Sequence, residues 1–463
     1  MISAMKMQYQ KYKQGCMGGK MKQNCYDPNN FAYLDDDSAM IQAAVDAASQ
    51  SGATVEIPRR NLRTDKDYWN ITKAIELYTG SVVVINNSCL RLADGVYCNI
   101  FKNSNGRKEI AKTTLGKQYD ISITGIGNAA LDGGNHNGLT EKTQLLNGLP
   151  HIIENTFIHF HNVERFTIAN LRIINQRHWG MTFHFCSEGR IFNIDFMAHN
   201  NAPNQDGIDL RTGCNRFIIE NITGCTGDDT IALTCLDGKF EKLMMVENAD
   251  VDLHSVIIRN ISTYVTGNHN IVRLLNHGRR KLYNIIIENI LDRSSVNTYR
   301  PCAAVRIGEQ RYYSESGPAK LGDTYGIIIR NVITHARFAV FISCTLQDSY
   351  INNIQLFGDA GTGVFFNTGV MRNIRISDLH YGMNCETIET LMDTGKAYKF
   401  DKLCALYFNG SDCKELSVHG VTAGRSLAAV FGGSGNVSLS AKEIIRLNPE
   451  TKFVDGEGIK VDL

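Results

Sequence analysis

The chain has 463 residues. That is long for one ordinary globular core but not for a solenoid, where each coil adds its own slice of core. Lys and Arg total 48 against 47 Asp and Glu, so the formal net charge is +1 and no global field can gather nucleic acid or an anionic membrane.

No apolar run reaches about 18 residues, so no membrane-spanning helix is expected. The first 30 residues carry scattered lysines and no apolar stretch of the kind a secretory leader needs. The expected location is therefore cytoplasmic, or extracellular or periplasmic if a leader has been removed. The 13 cysteines include no Cys-x-x-Cys pair, which argues against zinc. Most sit in apolar runs, as small buried hydrophobes of a reducing compartment do.

Residues 1–34 are polar and rich in Gly, Lys and Asn, and read as an irregular arm. Asp35, Asp36, Asp37 and Ser38 then offer an N-cap to a helix over 39–49. Met40, Ile41, Ala44, Val45 and Ala48 fall at helical spacing, and Gly52 ends it. Such a helix can plug the open first coil of a solenoid, whose strand edges are otherwise unpaired.

From residue 121 a degenerate repeat appears: apolar alternation, then Asn, then an aliphatic residue. Its corner residues are Asn170, Asn193, Asn221, Asn260, Asn289, Asn331 and, more weakly, Asp378, with gaps of 23, 28, 39, 29, 42 and 47. The last two gaps fit either two coils or one coil with an insertion. Asn suits a coil corner, because it tolerates left-handed backbone and its amide can bond the next rung. No helical pattern of comparable strength separates the strands, which argues against an α/β barrel. Only 7 prolines fits long parallel ladders. The expectation is one all-β domain over 35–463, a single-stranded parallel β-helix with an N-terminal capping helix. Stretches 236–252 and 311–323 are expected to wall a cleft, and the Gly/Ser-rich tail from 432 to cover the C-terminal end.

The chemistry concentrates in 179–234. Asp206 lies in Asn204-Gln205-Asp206-Gly207, and 22 residues later comes Gly227-Asp228-Asp229. Each is followed by strand-like alternation. At that period the acids stack on neighbouring rungs, about 4.8 Å apart. Carboxylates so close cannot all ionise freely, so at least one pKa should rise. A raised carboxyl beside an ionised one is what glycoside hydrolysis needs. Any one of these acids alone would more simply be a turn residue, and Asp209 is read as structural.

These motifs resemble those of the polygalacturonase-like glycoside hydrolases (family 28), right-handed parallel β-helices of the pectin-lyase-like type. Asn204-Gln205-Asp206 matches that family's Asn-Thr-Asp, Gly227-Asp228-Asp229 its Gly-Asp-Asp, and His178-Trp179-Gly180 its tryptophan-bearing rung. The resemblance implies Asp228 as general acid, with Asp206 and Asp229 positioning and deprotonating water. It implies a site histidine, best matched by Gly267-Asn268-His269, with 236–252 as the insertion that lengthens the gap. His254, in a repeat strand, is the rival. Arg306 matches the arginine of the family's Arg-Ile-Lys, which grips a uronate, whereas Gly308 replaces the lysine. Arg273 or a loop cation such as Arg311 could substitute. Asn204, His178 and Trp179 are the remaining candidates for sugar contact.

The implied activity is inverting hydrolysis of pectin-type or related uronate-containing oligosaccharides; the expected location makes short imported chains the substrate, so trimming from a chain end is expected, with loops such as 311–323 closing one end of the cleft. The implied partner is an oligo- or polysaccharide, and no cofactor or metal is called for. Two alternatives use the same scaffold. A polysaccharide lyase would take Asp206, Asp228 and Asp229 as calcium ligands and Arg306 as base. A non-catalytic binding β-helix would show binding without turnover.

Overall fold

The computed structural model describes residues 24–140, 152–278, 280–294, 301–309, 317–357, 362–381 and 403–463. Most of the arm expected over 1–34 thus lies outside the described residues, as does 311–316 of the expected wall 311–323. The arm's end is ordered: Cys25–Tyr26 pairs with Thr54–Pro58.

The described residues wind into one 28-stranded sheet whose strand pairings are all parallel, a right-handed parallel β-helix. The helix Asp37–Ser51 precedes it. Asp36 Oδ1 accepts from the Ala39 amide at 2.9 Å, and Gly52 closes the helix at φ 71°. The helix buries Met40, Ile41, Ala44, Val45 and Ala48 against the first coils, so their apolar ends are not left in water.

Two ladders form the body of the solenoid. Long strands run from Val163–Ile174 through Ser187–Met197, Asn215–Thr226, Leu253–Val265 and Leu282–Asp292 to Thr324–Thr334 and beyond. Each bends at its asparagine. Residues 163–169 pair with one preceding strand and 172–174 with another, so Asn170 is a corner between two faces. Asn170, Asn193, Asn221, Asn260, Asn289 and Asn331 all have φ between 55° and 58°. Their side-chain amides hand hydrogen bonds from rung to rung: Asn193 to Asn170 at 2.8 Å, Asn221 to Asn193 at 3.0 Å, Asn260 to Asn221 at 3.1 Å. Asn331 bonds Asn289 directly, so that gap of 42 is one coil with an insertion. The gap of 47 is two coils, with Asn353 supplying the missing rung.

Short strands form the second ladder: Ile158–His161, Met181–His184, Ile208–Arg211, Ile231–Cys235, Asn270–Asn276, Ala303–Ile307 and Phe338–Ile342. Ile208, Leu210, Ile231, Leu233 and Leu274 point into the core. Alternation therefore turns Asp209, Ala232, Arg273 and Arg306 outward in one register row. The tail from 432 does not cover the end as expected. Ala429–Arg446 and Lys452–Asp462 continue the ladder as further rungs. Their alternating apolar residues, such as Val437 and Leu439, find the core face open and extend it.

The candidate active site

The acids enter the short ladder just before their strands. The Gly180 amide donates to the Asp206 carbonyl and the Gly207 amide to the Asp229 carbonyl, both at 2.9 Å. Asp206 and Asp229 thus stack on neighbouring rungs, as their spacing predicts. Gln205, absent from the sequence-based candidates, fixes this turn. Its buried side chain donates to the Gln176 carbonyl at 2.7 Å, while its own carbonyl accepts from the Gly227 amide at 3.1 Å.

Asp229 is fully buried. Its Oδ1 accepts from the Asn270 backbone amide and side-chain amide, both at 2.8 Å, and Arg273 Nε lies 2.8 Å from its Oδ2. The Arg273 Nε–H is not aligned as a hydrogen bond, so this contact is chiefly Coulombic. Burial and, on the other side, Arg273 compete at Asp229; burial wins and its carboxyl titrates above the ordinary value. Asn270 was also missed by sequence reasoning. The signal was its place directly after His269, opposite Asp229 one rung on.

Asp228 behaves oppositely. His269 Nδ1 lies 2.9 Å from its Oδ1, and the Asp229 amide donates to the same oxygen at 2.8 Å. Burial pushes the Asp228 carboxyl up, but His269 and then Arg273 outweigh it and hold it below the ordinary value. Burial also opposes a charged His269, yet Asp228 raises that imidazole above its usual value. Asp206, fully enclosed, is driven well up by burial and then by Asp228, Asp209 and Asp229. A raised carboxyl does sit beside an ionised one, but Asp206 and Asp229 are the raised ones and Asp228 the ionised one. Asp228 thus favours its carboxylate form, and a proton in the pair is favoured on His269. Side-chain exposure is 13% for Asp228 and 43% for His269, so this pair is the open part of the cluster. His254 is elsewhere: it pairs with Asp250 at 3.0 Å and stacks on Tyr283 in the long ladder.

Arg273 and Arg306 are register neighbours in the outward row, and Glu309 sits between them, 3.6 Å and 3.9 Å from their guanidinium groups. Arg306 also lies over the Phe341 ring, 4.8 Å from its centroid. Gly308 has φ 82°, and a Cβ there would come within 2.5 Å of the Cys344 Cβ. The backbone itself excludes a lysine at this rung.

Three candidates are corrected. His178 and Trp179 were candidates for sugar contact, but Trp179 is 6% exposed, packed by His178 at 4.5 Å, Phe240 at 5.9 Å and Arg211 at 4.8 Å, so neither ring offers a platform. Asn204 is half-buried with φ 58° and serves the turn through its backbone. The structure brings together Asp206, Asp228, Asp229, His269 and Arg273, with Arg306 adjacent.

Asp228, Asp229 and His269 each offer a ligand atom within 4.8 Å of the others, a spacing that a divalent ion could use. Against this, Arg273 already lies on Asp229, and Asn270 and His269 occupy the carboxylate oxygens nearest them. A cation already placed at the ligand set disfavours a second one.

The family described as glycosyl hydrolases family 28 matches residues 100–249. Polygalacturonase QRT2 of Arabidopsis thaliana is 22% identical over 185 residues, 37% of this chain and 42% of that relative's length. Among solved structures, a family 28 exopolygalacturonase of Yersinia enterocolitica aligns over 95% of this chain and 79% of its own, at 12% identity and a TM-score of 0.46. A hyperthermoactive exopolygalacturonase of Thermotoga maritima aligns over 93% of each chain, at 14% identity and a TM-score of 0.43. Likeness at that level says nothing of substrate. Over residues 100–249, which hold Asp206, Asp228 and Asp229, the chain resembles the family-28 glycosyl hydrolases.

Proposed function

We propose that the protein is a glycoside hydrolase that cleaves pectin-type or related uronate-containing oligosaccharides with inversion, acting from a chain end. One observation carries the reading: Asp228 and accessible His269 paired at 2.9 Å, next to buried Asp229 held by Arg273 and Asn270. The pair delivers its proton to the glycosidic oxygen as the bond to the anomeric carbon breaks, leaving neutral His269 beside Asp228 carboxylate. Asp229, kept able to ionise by Arg273, takes a proton from the attacking water. Asp206, raised by burial and by the neighbouring acids, orients that water. One proton leaves the pair and one is gained from water, so the site closes its cycle by exchange with solvent. Arg306, and Arg273 beside it, are placed to hold a substrate carboxylate.

Asp228→Asn should lower turnover on pectic oligosaccharides by about 10²–10⁴-fold, the loss typical of a general acid. NMR of the first product should show the inverted anomer. Near wild-type turnover in Asp228→Asn, or clean retention, defeats the mechanism. A chelator-sensitive reaction giving an unsaturated, ultraviolet-absorbing product would replace it with the lyase.

A further inference from the structure

The outward face of the short ladder is not alike on the two sides of the acids. On the C-terminal side come Arg273 and Arg306, charged and partly exposed. On the N-terminal side the segment 236–252 folds back over the rungs of Ile208–Arg211, Met181–His184 and Ile158–His161. Its short helix, Lys239–Leu243, seats Phe240 against Trp179 at 5.9 Å and against His184 at 5.5 Å. Arg211 lies over both Trp179 and Phe240, at 4.8 Å and 5.1 Å from the ring centroids, and pairs with buried Glu241 at 2.5 Å.

The rest of the segment is pinned along its length. The Leu236 carbonyl accepts from Thr212 Oγ1 at 2.7 Å, and the Met244 carbonyl accepts from His161 Nε2 at 2.7 Å. Burial pushes His161 down to about 4, which favours the neutral imidazole near neutral pH. Farther on, the Glu247 amide donates to the Lys112 carbonyl at 2.7 Å, and the Val251 carbonyl accepts from the Gly213 amide at 3.2 Å. A segment tied at its start, middle and end is a rigid part of the fold. Trp179 immediately precedes the Gly180 amide that bonds the Asp206 carbonyl, so the packed Trp179–Phe240–Arg211 cluster stands one rung from Asp206, about 4.8 Å.

We propose that 236–252 is a fixed end wall. Phe240, clamped by Arg211 and Glu241 onto Trp179, blocks the groove one rung beyond Asp206. A sugar chain then enters from the Arg306 side and only its terminal residue passes the acids. This rests on the hydrolase reading for the identity of the ligand and names what makes the site a chain-end site. Arg211 and Glu241 act through Phe240 and are positioning residues.

The test compares pectic oligosaccharides with free ends and the same chains carrying bulky caps on both ends. Binding is measured by calorimetry and products by chromatography, for wild type, Phe240→Ala and Glu241→Gln. A wall requires wild type to bind and shorten free chains but to bind capped chains at least about tenfold more weakly. Phe240→Ala should close most of that gap and release internal fragments of several lengths. Glu241→Gln, which keeps the packing but loosens the clamp, should do so partly. Equal wild-type affinity for capped and free chains, or unchanged products in both variants, overturns the wall. If free chains bind in preference to capped ones but are never cut, the wall stands and the hydrolase reading fails.

Discussion

Arg273→Met is the perturbation that asks most of the electrostatic argument. The guanidinium sits 2.8 Å from Asp229 Oδ2 and 3.6 Å from Glu309, both carboxylates largely out of water. Two unit charges about 4 Å apart at an effective dielectric near 20 attract by about 4 kcal/mol. Desolvation of the guanidinium and its division between two acids reduce the net effect. Burial already raises Asp229, and Arg273 is the largest force opposing it. Methionine keeps the stem volume and removes the charge, so Asp229 should protonate more readily still.

Activity that needs ionised Asp229 is lost as pH falls through its folded pKa; the variant should therefore lose it at a higher pH than wild type. At about 1.4 kcal/mol per decade, turnover near neutral pH should fall by roughly 10²–10³-fold. It should recover partly as pH rises, and Arg273→Lys should retain more. Breaking a buried pair also costs about 3–5 kcal/mol of stability, so rates belong well below the variant's Tm. The assay is the pH profile of kcat and kcat/KM on a short pectic oligosaccharide. An acid limb unmoved in Arg273→Met, with turnover near wild type, would refute the role of Arg273 and with it that of Asp229 as base.

Three further outcomes are expected. The His269–Asp228 pair stabilises the fold while His269 is charged. Because His269 is raised, that contribution is complete below its unfolded value and fades as pH rises through the folded one, so the Tm difference between wild type and His269→Gln should shrink on the alkaline side. Asp209 is fully buried, both its oxygens lack a hydrogen-bond partner among the described residues, and burial pushes it up to about 8. An acid raised on folding loses stability progressively from pH 4 to pH 8, so Asp209→Asn should gain Tm over wild type across that window, and a gap independent of pH would contradict it. Gly308→Ala should unfold at lower temperature by several degrees, since a left-handed φ costs about 1–2 kcal/mol before the Cys344 contact is added; unchanged melting would remove the backbone reason for the missing lysine.

The fold was legible because its signals are local and repeated. Each asparagine corner needs left-handed backbone, and each bonds the one before it, so a periodic Asn after alternation already describes the coil. Asp206, Asp228 and Asp229 were legible for the same reason: the repeat period converts a gap of 22 into neighbouring rungs. His269 over His254 followed from strand interior against strand edge. What sequence could not carry is whatever depends on which side chain covers which. Trp179 reads equally as platform or core until Phe240, sixty-one residues later, is seen to lie against it. The polarity of the acids was hidden too. Three aspartates in a motif carry no mark of which is raised, because that is settled by burial, which wins at Asp206 and at Asp229 against Arg273 and Asn270, and by His269, which with Arg273 outweighs it at Asp228.

Gly308 shows the limit most clearly. Read as a motif, it is a lost cation, and putting lysine there looks like a test of substrate choice. Read as backbone, φ 82° and Cys344 leave no room for any side chain, so such a variant would lose activity through strain whatever the sugar. The charge question moves to Arg273 and Arg306, which share Glu309. Glu309→Gln keeps the shape of that contact and frees part of both guanidinium charges. If these two arginines are the uronate clamp, it should lower KM for uronate-bearing chains more than for neutral ones. An equal change for both would mean that Glu309 holds the rung together and the clamp lies elsewhere.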